Sequence, residues 1–117
     1  MSVNALKELA GRVESGNFYG FNEFATCWEN ALGIYTPNTA GYTCGYNAYK
    51  GSLDAAKALH EAVLPEWGWV WSNRGKGHVT PNSGKYSRLA QTAENDDPAR
   101  AWLLAILKAL IAQEMGQ

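Results

Sequence analysis

The sequence has few residues of the kinds that build disulfide scaffolds or metal centres. Its 117 residues include two cysteines and two histidines. They are Cys27, Cys44, His60 and His78. This scatter does not match the regular ligand spacings of zinc sites, so neither a metal nor another cofactor is expected. The first residues lack the basic region and apolar segment of a signal peptide, so we expect reduced thiols and a location in a cytoplasm.

Charge of one sign and long apolar runs are also lacking. Charged residues make up 18% of the chain and the net charge is −1. Proteins that bind duplex nucleic acid strongly usually carry a basic surface, so strong duplex binding is not expected. The longest apolar run lies near the C-terminus and is interrupted by Lys108, so no membrane span is expected. Neither the Walker phosphate-binding loop of P-loop nucleoside triphosphatases nor the Gly-x-Ser-x-Gly motif of hydrolases occurs.

The most strongly patterned stretch runs from Asp97 to Gln117. Asp97 is a favourable N-cap, Pro98 suits the first helical position, and Gly116 is a suitable stop. Large apolar residues then recur at helical spacing. They are Trp102, Leu103, Ile106, Leu107, Leu110 and Ile111. Leu104 and Ala105 make the opposite face apolar too, so this helix needs cover on most of its circumference. That need also favours self-association, and we expect a homo-oligomer.

Three further helices are predicted before it, over residues 2–15, 21–32 and 52–64. Ser2 or Asn4 is a possible cap for the first helix, Asn22 for the second and Ser52 for the third. Residues 33–51 are rich in Gly, Pro and Asn and are predicted to form a long irregular loop. Its tyrosines are Tyr35, Tyr42, Tyr46 and Tyr49.

Strands are predicted between the third helix and the last one. Residues 67–74 alternate, with Trp67, Trp69 and Trp71 on one face, which is typical of a strand. A turn over residues 74–77 leads to a return strand at 78–80, and 85–92 is a possible third strand. Residues 93–96 are predicted to be a polar connector. The fold class is therefore α+β, in one domain over residues 1–117. We expect two to three antiparallel strands layered with about four helices in an α/β/α sandwich-like arrangement.

Three features are candidates for binding, and each has a structural alternative. The tryptophan face is either a platform for stacking bases or the core face of the sheet. The glycine-bounded cations of residues 74–77 either hold an anion or form a solvated turn. The tyrosine loop either contacts a ligand or covers the core. The resulting ligand-binding candidates are Tyr42, Tyr46, Tyr49, Trp67, Trp71, Arg74, Lys76, His78, Lys85, Tyr86 and Arg88.

Acid–base chemistry has weaker support. Glu94, Asp96 and Asp97 form a carboxylate cluster, but its position before the last helix favours capping and solubility. No catalytic residue is therefore assigned. An enzyme acting on nucleotides would need a pair of coupled titrating groups, such as His78 with a carboxylate.

Several stretches together are similar to a known group of proteins. They are residues 6–14 (LKELAGRVE), 49–59 (YKGSLDAAKAL), 64–69 (LPEWGW) and 98–110 (PARAWLLAILKAL). The chain resembles small phage and prophage proteins of the "phage ABA sandwich" type. The resemblance covers most of the chain and implies an α/β/α layered fold and a phage origin. Its motifs are structural, and it implies no activity for particular residues.

These observations lead to one preferred functional hypothesis and two alternatives. The preferred one is a phage accessory protein that acts by binding in the host cytoplasm. It would inhibit a bacterial antiviral defence by sequestering a nucleotide-derived signal or by blocking a host defence protein. The alternatives are a small nucleotide-processing enzyme and an accessory protein of phage morphogenesis.

Overall fold

Five helices and three strands make up the described parts of a computed structural model of the chain. These parts are residues 3–18, 20–32, 42–64, 67–71, 76–81 and 91–115, with the backbone alone at 32, 42, 71 and 78–81. The elements are α1 (Val3–Ser15), α2 (Phe21–Leu32), α3 (Tyr42–Tyr49), α4 (Leu53–Val63), β1 (Trp67–Trp71), β2 (Lys76–Pro81), β3 (Gln91–Glu94) and α5 (Pro98–Met115). The predicted α+β class with a small antiparallel sheet is confirmed, with five described helices where about four were expected.

Helix α5 is the central element of the fold. Asp97 caps it as predicted, because its Oδ1 accepts hydrogen bonds from the backbone N–H groups of Ala99 (2.9 Å) and Arg100 (3.3 Å). The helix contacts α1, α3 and α4 as well as β2 and β3. Its buried residues are Ala99, Ala101, Trp102, Leu103, Leu104, Ala105, Ile106, Leu107, Ala109 and Leu110. The chain itself therefore supplies the cover that this helix needs, and a second copy is not required for that purpose.

The three strands form one antiparallel sheet in the order β1-β2-β3. Trp69 pairs with Val79, which in turn pairs with Gln91. Trp67 and Ala93 are buried, and the ring centroid of Trp69 lies 5.3 Å from that of Trp102 on α5. Helix α5 therefore lies against the tryptophan-bearing sheet, with Trp102 next to Trp69.

Helices α1 and α2 pack against each other. The buried residues of α1 recur at helical spacing and form one apolar stripe: Leu6, Leu9, Ala10 and Val13. The helix is followed by Gly16, whose φ of 71° suits glycine. Arg12 joins the pair by an ion pair with Glu23, and its guanidinium lies 4.5 Å from the ring centroid of Phe18. Asn4 and Asn22 lie inside their helices and are not caps; Ser2 is outside the described residues.

The prediction of an irregular segment over residues 33–51 was wrong for its second half, which contains α3. This helix has a weak local pattern, and contacts with α2, α4 and α5 hold it in place. Tyr46 and Tyr49, three residues apart, both turn toward Phe24, with ring centroids 5.5 and 5.7 Å from it. Tertiary contact therefore decides the helix here. Residues 33–41, including Tyr35, lie outside the described part of the chain.

The strand boundaries also differ from the prediction. β1 ends at Trp71, and Lys76 and Gly77 belong to β2 and not to a turn. β3 begins at Gln91 and includes residues 93–94, which were predicted to be a connector. Ala93 is buried and Lys76 pairs with Glu94, so packing on α5 and a pair of opposite charges extend the sheet beyond its apolar pattern. Residues 72–75 and 82–90 lie outside the description.

Candidate binding site

Two of the aromatic candidates have their rings in the core. Trp67 is 8% exposed and Tyr49 is 6% exposed. Tyr49 has its ring against Phe18 at 5.2 Å, and the guanidinium of Arg100 lies 4.2 Å from its centroid. Stacking a base requires an open ring face. The rings of Trp67 and Tyr49 are therefore part of the core and are not open platforms for a base.

Tyr46 is half-buried and packs with Tyr49 and Phe24. Its ring meets the ring of Phe21 edge-on at 5.2 Å, and it is tilted against Tyr49 at 6.3 Å. Phe21 is one of the exposed large apolar residues. Tyr46 and Tyr49 thus pack between α2 and α5, as expected if this segment covers the core.

His60 joins three elements through both of its ring nitrogens. The indole N–H of Trp102 donates to Nδ1 at 3.1 Å, and Nε2 lies 2.8 Å from the backbone oxygen of Trp67. Because an indole nitrogen only donates, Nδ1 must accept and Nε2 must carry the proton. Burial lowers the pKa of His60, against smaller opposing effects of the Trp67 carbonyl and Glu61. The imidazole is therefore neutral and structural, a role that the sequence analysis missed.

An open groove lies between the end of α1, the sheet and α5, and we call it the Lys76 groove. Its volume is about 390 Å³. It is lined by Glu14, Lys76, Gly77, Thr92, Ala93, Glu94, Leu104 and Lys108. Lys76 is exposed, and the Nζ of Lys108 donates to the backbone oxygen of Thr92 at 3.4 Å. Two lysine residues from separate elements therefore line the same groove.

A second, acidic cavity of about 840 Å³ adjoins this groove, since both are lined by Glu14 and Glu94. It extends along the start of α5 past Asp96, Asp97 and Arg100. The carboxylate of Asp97 caps the helix, and the backbone N–H of Asp97 donates a hydrogen bond to the Oδ1 of Asn95 at 3.0 Å. The capping interpretation of this cluster is thus confirmed at Asp97.

The remaining ligand-binding candidates are only partly visible. Tyr42, Trp71 and His78 lie at the start of α3, the end of β1 and the middle of β2. Arg74, Lys85, Tyr86 and Arg88 fall outside the described residues. Of the predicted cations, the structure places Lys76 in a groove and adds Lys108, which the sequence analysis noted only because it interrupts an apolar helix.

The described cysteines have the properties of core thiols. Cys27 is buried and Cys44 is half-buried, and both are unbridged. Burial raises the pKa of each thiol, so both stay protonated near neutral pH. Within the described residues, no three side chains of His, Cys, Asp or Glu come together as metal ligands. None of the described helices is long and apolar enough to cross a bilayer.

Comparison with known proteins adds no relative. The chain has no significant match among protein-family models, curated proteins or solved structures.

Proposed function

We propose that this protein is a phage-encoded accessory protein that acts by binding in the host cytoplasm. It counters a bacterial defence by sequestering a nucleotide-derived signal in the Lys76 groove. The observation that supports this is the convergence of Lys76 from β2 and Lys108 from α5 on one groove. The phage origin rests on the sequence resemblance described above.

The chemistry of the groove suits a nucleotide better than a simple anion. Ammonium groups donate to phosphate oxygens, and such charge-assisted bonds are stronger than neutral ones. The carboxylates of Glu14 and Glu94 are acceptors that match the amino groups of a base. Leu104 and Ala93 also line the groove but are buried, so charged and polar residues supply most of its accessible lining. A ligand that carries both phosphate groups and base amino groups matches this mixture of charges.

Binding, and not turnover, is the activity that we assign. His60 cannot act as a base while it keeps both of its hydrogen bonds, and the thiols of Cys27 and Cys44 are protonated. Self-association is part of the proposal, since a second copy would double the number of signal molecules held per assembly.

Calorimetric titration with a panel of linear and cyclic nucleotides tests the proposal. We expect at least one of them to bind. The double variant Lys76→Ala/Lys108→Ala should bind it at least about 100-fold more weakly, because it removes two charged hydrogen bonds worth about 1.5–3 kcal/mol each. Lys57→Ala is the matched control, since Lys57 lies on α4 in an exposed pair with Glu61 at 3.4 Å.

Three results would refute the assignment. They are a panel without any binding, a double variant that binds like the unmodified protein, and an equal loss in the Lys57→Ala control. Chromatography of the bound nucleotide after denaturation separates binding from catalysis. Intact nucleotide supports sequestration, whereas a converted product identifies an enzyme.

A further inference from the structure

The outer edge of β1 carries backbone groups that face away from the sheet. The backbone N–H of Trp67 donates to the Leu64 oxygen at 3.0 Å, and the Trp67 oxygen bonds to His60. Both groups therefore point away from β2, in agreement with the register partner Pro81, which has no N–H to give. Because backbone direction alternates along a strand, the N–H and C=O groups of Trp69 and Trp71 also point outward.

Two other outward backbone oxygens at the edges of the sheet are hydrogen-bonded to side chains. At Trp67 the cap is His60, and at the opposite edge Lys108 donates to the oxygen of Thr92. The backbone groups of Thr92 point away from β2 by the same alternation, because the backbone groups of its register partner His78 point toward Val70 of β1. On β1, Trp69 and Trp71 provide outward groups for which no such cap lies within the described residues.

β1 also lacks the features that usually protect an edge strand. Its sequence is Trp-Gly-Trp-Val-Trp, without lysine, proline or any charge. Val70 is 61% exposed and Trp69 is 38% exposed, which is high for such side chains. By contrast, β3 carries Glu94 at its end. An uncharged, exposed edge of this kind is a template for another strand.

We propose that β1 pairs antiparallel with β1 of a second copy, about a two-fold axis at Val70. The backbone N–H and C=O groups of Trp69 then form two hydrogen bonds with residue 71 of the second copy. By symmetry, Trp71 forms the same two bonds with residue 69 of the second copy. The segment 69–71 reads Trp-Val-Trp in either direction, so both strands present the same residues to each other. The cap at Trp67 limits the pairing to this register.

A second copy is the occupant that the edge fits best. One contact covers two unprotected edges at once, whereas an unrelated peptide covers one. Val70 of each copy meets the other in a non-hydrogen-bonded pair, where Cα atoms are about 4.5 Å apart and side chains are closest. A three-residue pairing buries less than the roughly 800 Å² per partner of a standard interface, so the dimer should form only at high protein concentration.

This inference deepens the self-association in the proposed function, and sedimentation velocity over a concentration series tests it. We expect reversible dimers of the unmodified protein and at least a tenfold higher dissociation constant for Val70→Lys and for Val70→Glu alone. An equimolar mixture of these two variants should restore dimers, because opposite charges then meet at the axis. Thr92→Lys is the control, as it adds the same charge at an exposed position of the capped edge.

A cross-link checks the register directly. Val70→Cys should form a disulfide-linked dimer under mild oxidation, because the expected Cα separation lies within the range of disulfides. Thr92→Cys should not. Monomers at every concentration would overturn self-association as a whole. Dimers unaffected by the Val70 variants, or equal cross-linking of both cysteine variants, would overturn only this surface. Neither result bears on nucleotide binding, which is measured separately with the Lys76 groove variants.

Discussion

Gly45 lies where α3 crosses the indole ring of Trp28. A Cβ at this position would overlap the six-membered part of that ring. Glycine in a helix interior normally costs about 1 kcal/mol relative to alanine, so its presence here has a steric cause. Trp28 is fully buried, and its indole N–H has no hydrogen-bond partner among the described residues. The shape of one side chain thus determines the residue opposite it.

Gly45→Ala should therefore destabilise the protein, by about 1–3 kcal/mol from overpacking, despite the better helix propensity of alanine. Gly11→Ala is the matched control, because Gly11 lies inside α1 with open space around it. That substitution should stabilise by about 0.5–1 kcal/mol. Urea unfolding of both variants measures the effect. If both changes stabilise the protein, Trp28 does not pack against α3 as described.

At the scale of elements, the start of α5 depends on local chemistry that the sequence already displays. Asp97 caps two N–H groups, and its backbone oxygen accepts the first helical bond from the N–H of Ala101 at 2.9 Å. The guanidinium of Arg100 donates a hydrogen bond to the backbone oxygen of Tyr49 at 3.1 Å. This bond connects the first turn of α5 to the end of α3. The cap therefore positions a contact between two helices.

Asp97→Ala should lower the free energy of unfolding by about 0.5–2 kcal/mol, the usual cost of losing an N-cap. Asp97→Asn keeps an acceptor oxygen and should recover most of that loss. Asp96→Ala removes an exposed carboxylate next to the cap and serves as the control. Chemical denaturation followed by circular dichroism gives all three values. Equal losses for the two alanine variants would mean that general charge, and not the cap, is responsible.

At the scale of the whole molecule, His60 links the helical part to the sheet. It lies on α4, bonds to Trp67 of β1 and Trp102 of α5, and its ring centroid is 4.7 Å from that of Trp69. Protonation of Nδ1 would place two N–H donors against each other, at His60 and Trp102. The charge state of one imidazole thus affects how three elements stay together.

Stability should therefore fall in mild acid. Because the pKa of His60 is lowered in the folded protein, the unfolded state binds a proton first as the pH falls. The contribution of neutral His60 to the free energy of unfolding is complete above the ordinary histidine pKa of about 6.5. It is lost progressively as the pH falls from there to the pKa of His60 in the folded protein, and the free energy of unfolding changes by at most about 1.4 kcal/mol per pH unit.

Urea unfolding between pH 7.5 and pH 5 measures this slope. His60→Gln, which cannot take up a proton, should be less stable at neutral pH and should show a flatter pH profile. His78→Gln controls for the other histidine and should keep the slope of the unmodified protein. An unchanged slope in His60→Gln would assign the pH dependence to other groups.

The sequence by itself determined the elements whose signals are local. Three features follow from neighbouring residues: the Asp97–Pro98 start of α5, the buried stripe of α1 and the Ser52 cap of α4. In that cap, the Oγ of Ser52 accepts a hydrogen bond from the backbone N–H of Ala55 at 3.1 Å. Caps and helical periodicity act within a few residues, so they can be predicted without knowing the fold.

Only the tertiary structure decided what depends on residues far apart in the chain. α3 forms because Phe24 and Arg100 give Tyr46 and Tyr49 a place to pack and Trp28 packs against Gly45, although the local pattern of α3 is weak. Lys76 and Lys108, 32 positions apart by number, line one groove because β2 and α5 lie side by side. Likewise, the bonds that enclose His60 come from residues 7 and 42 positions away. Packing brings such groups together at distances that local propensity does not encode.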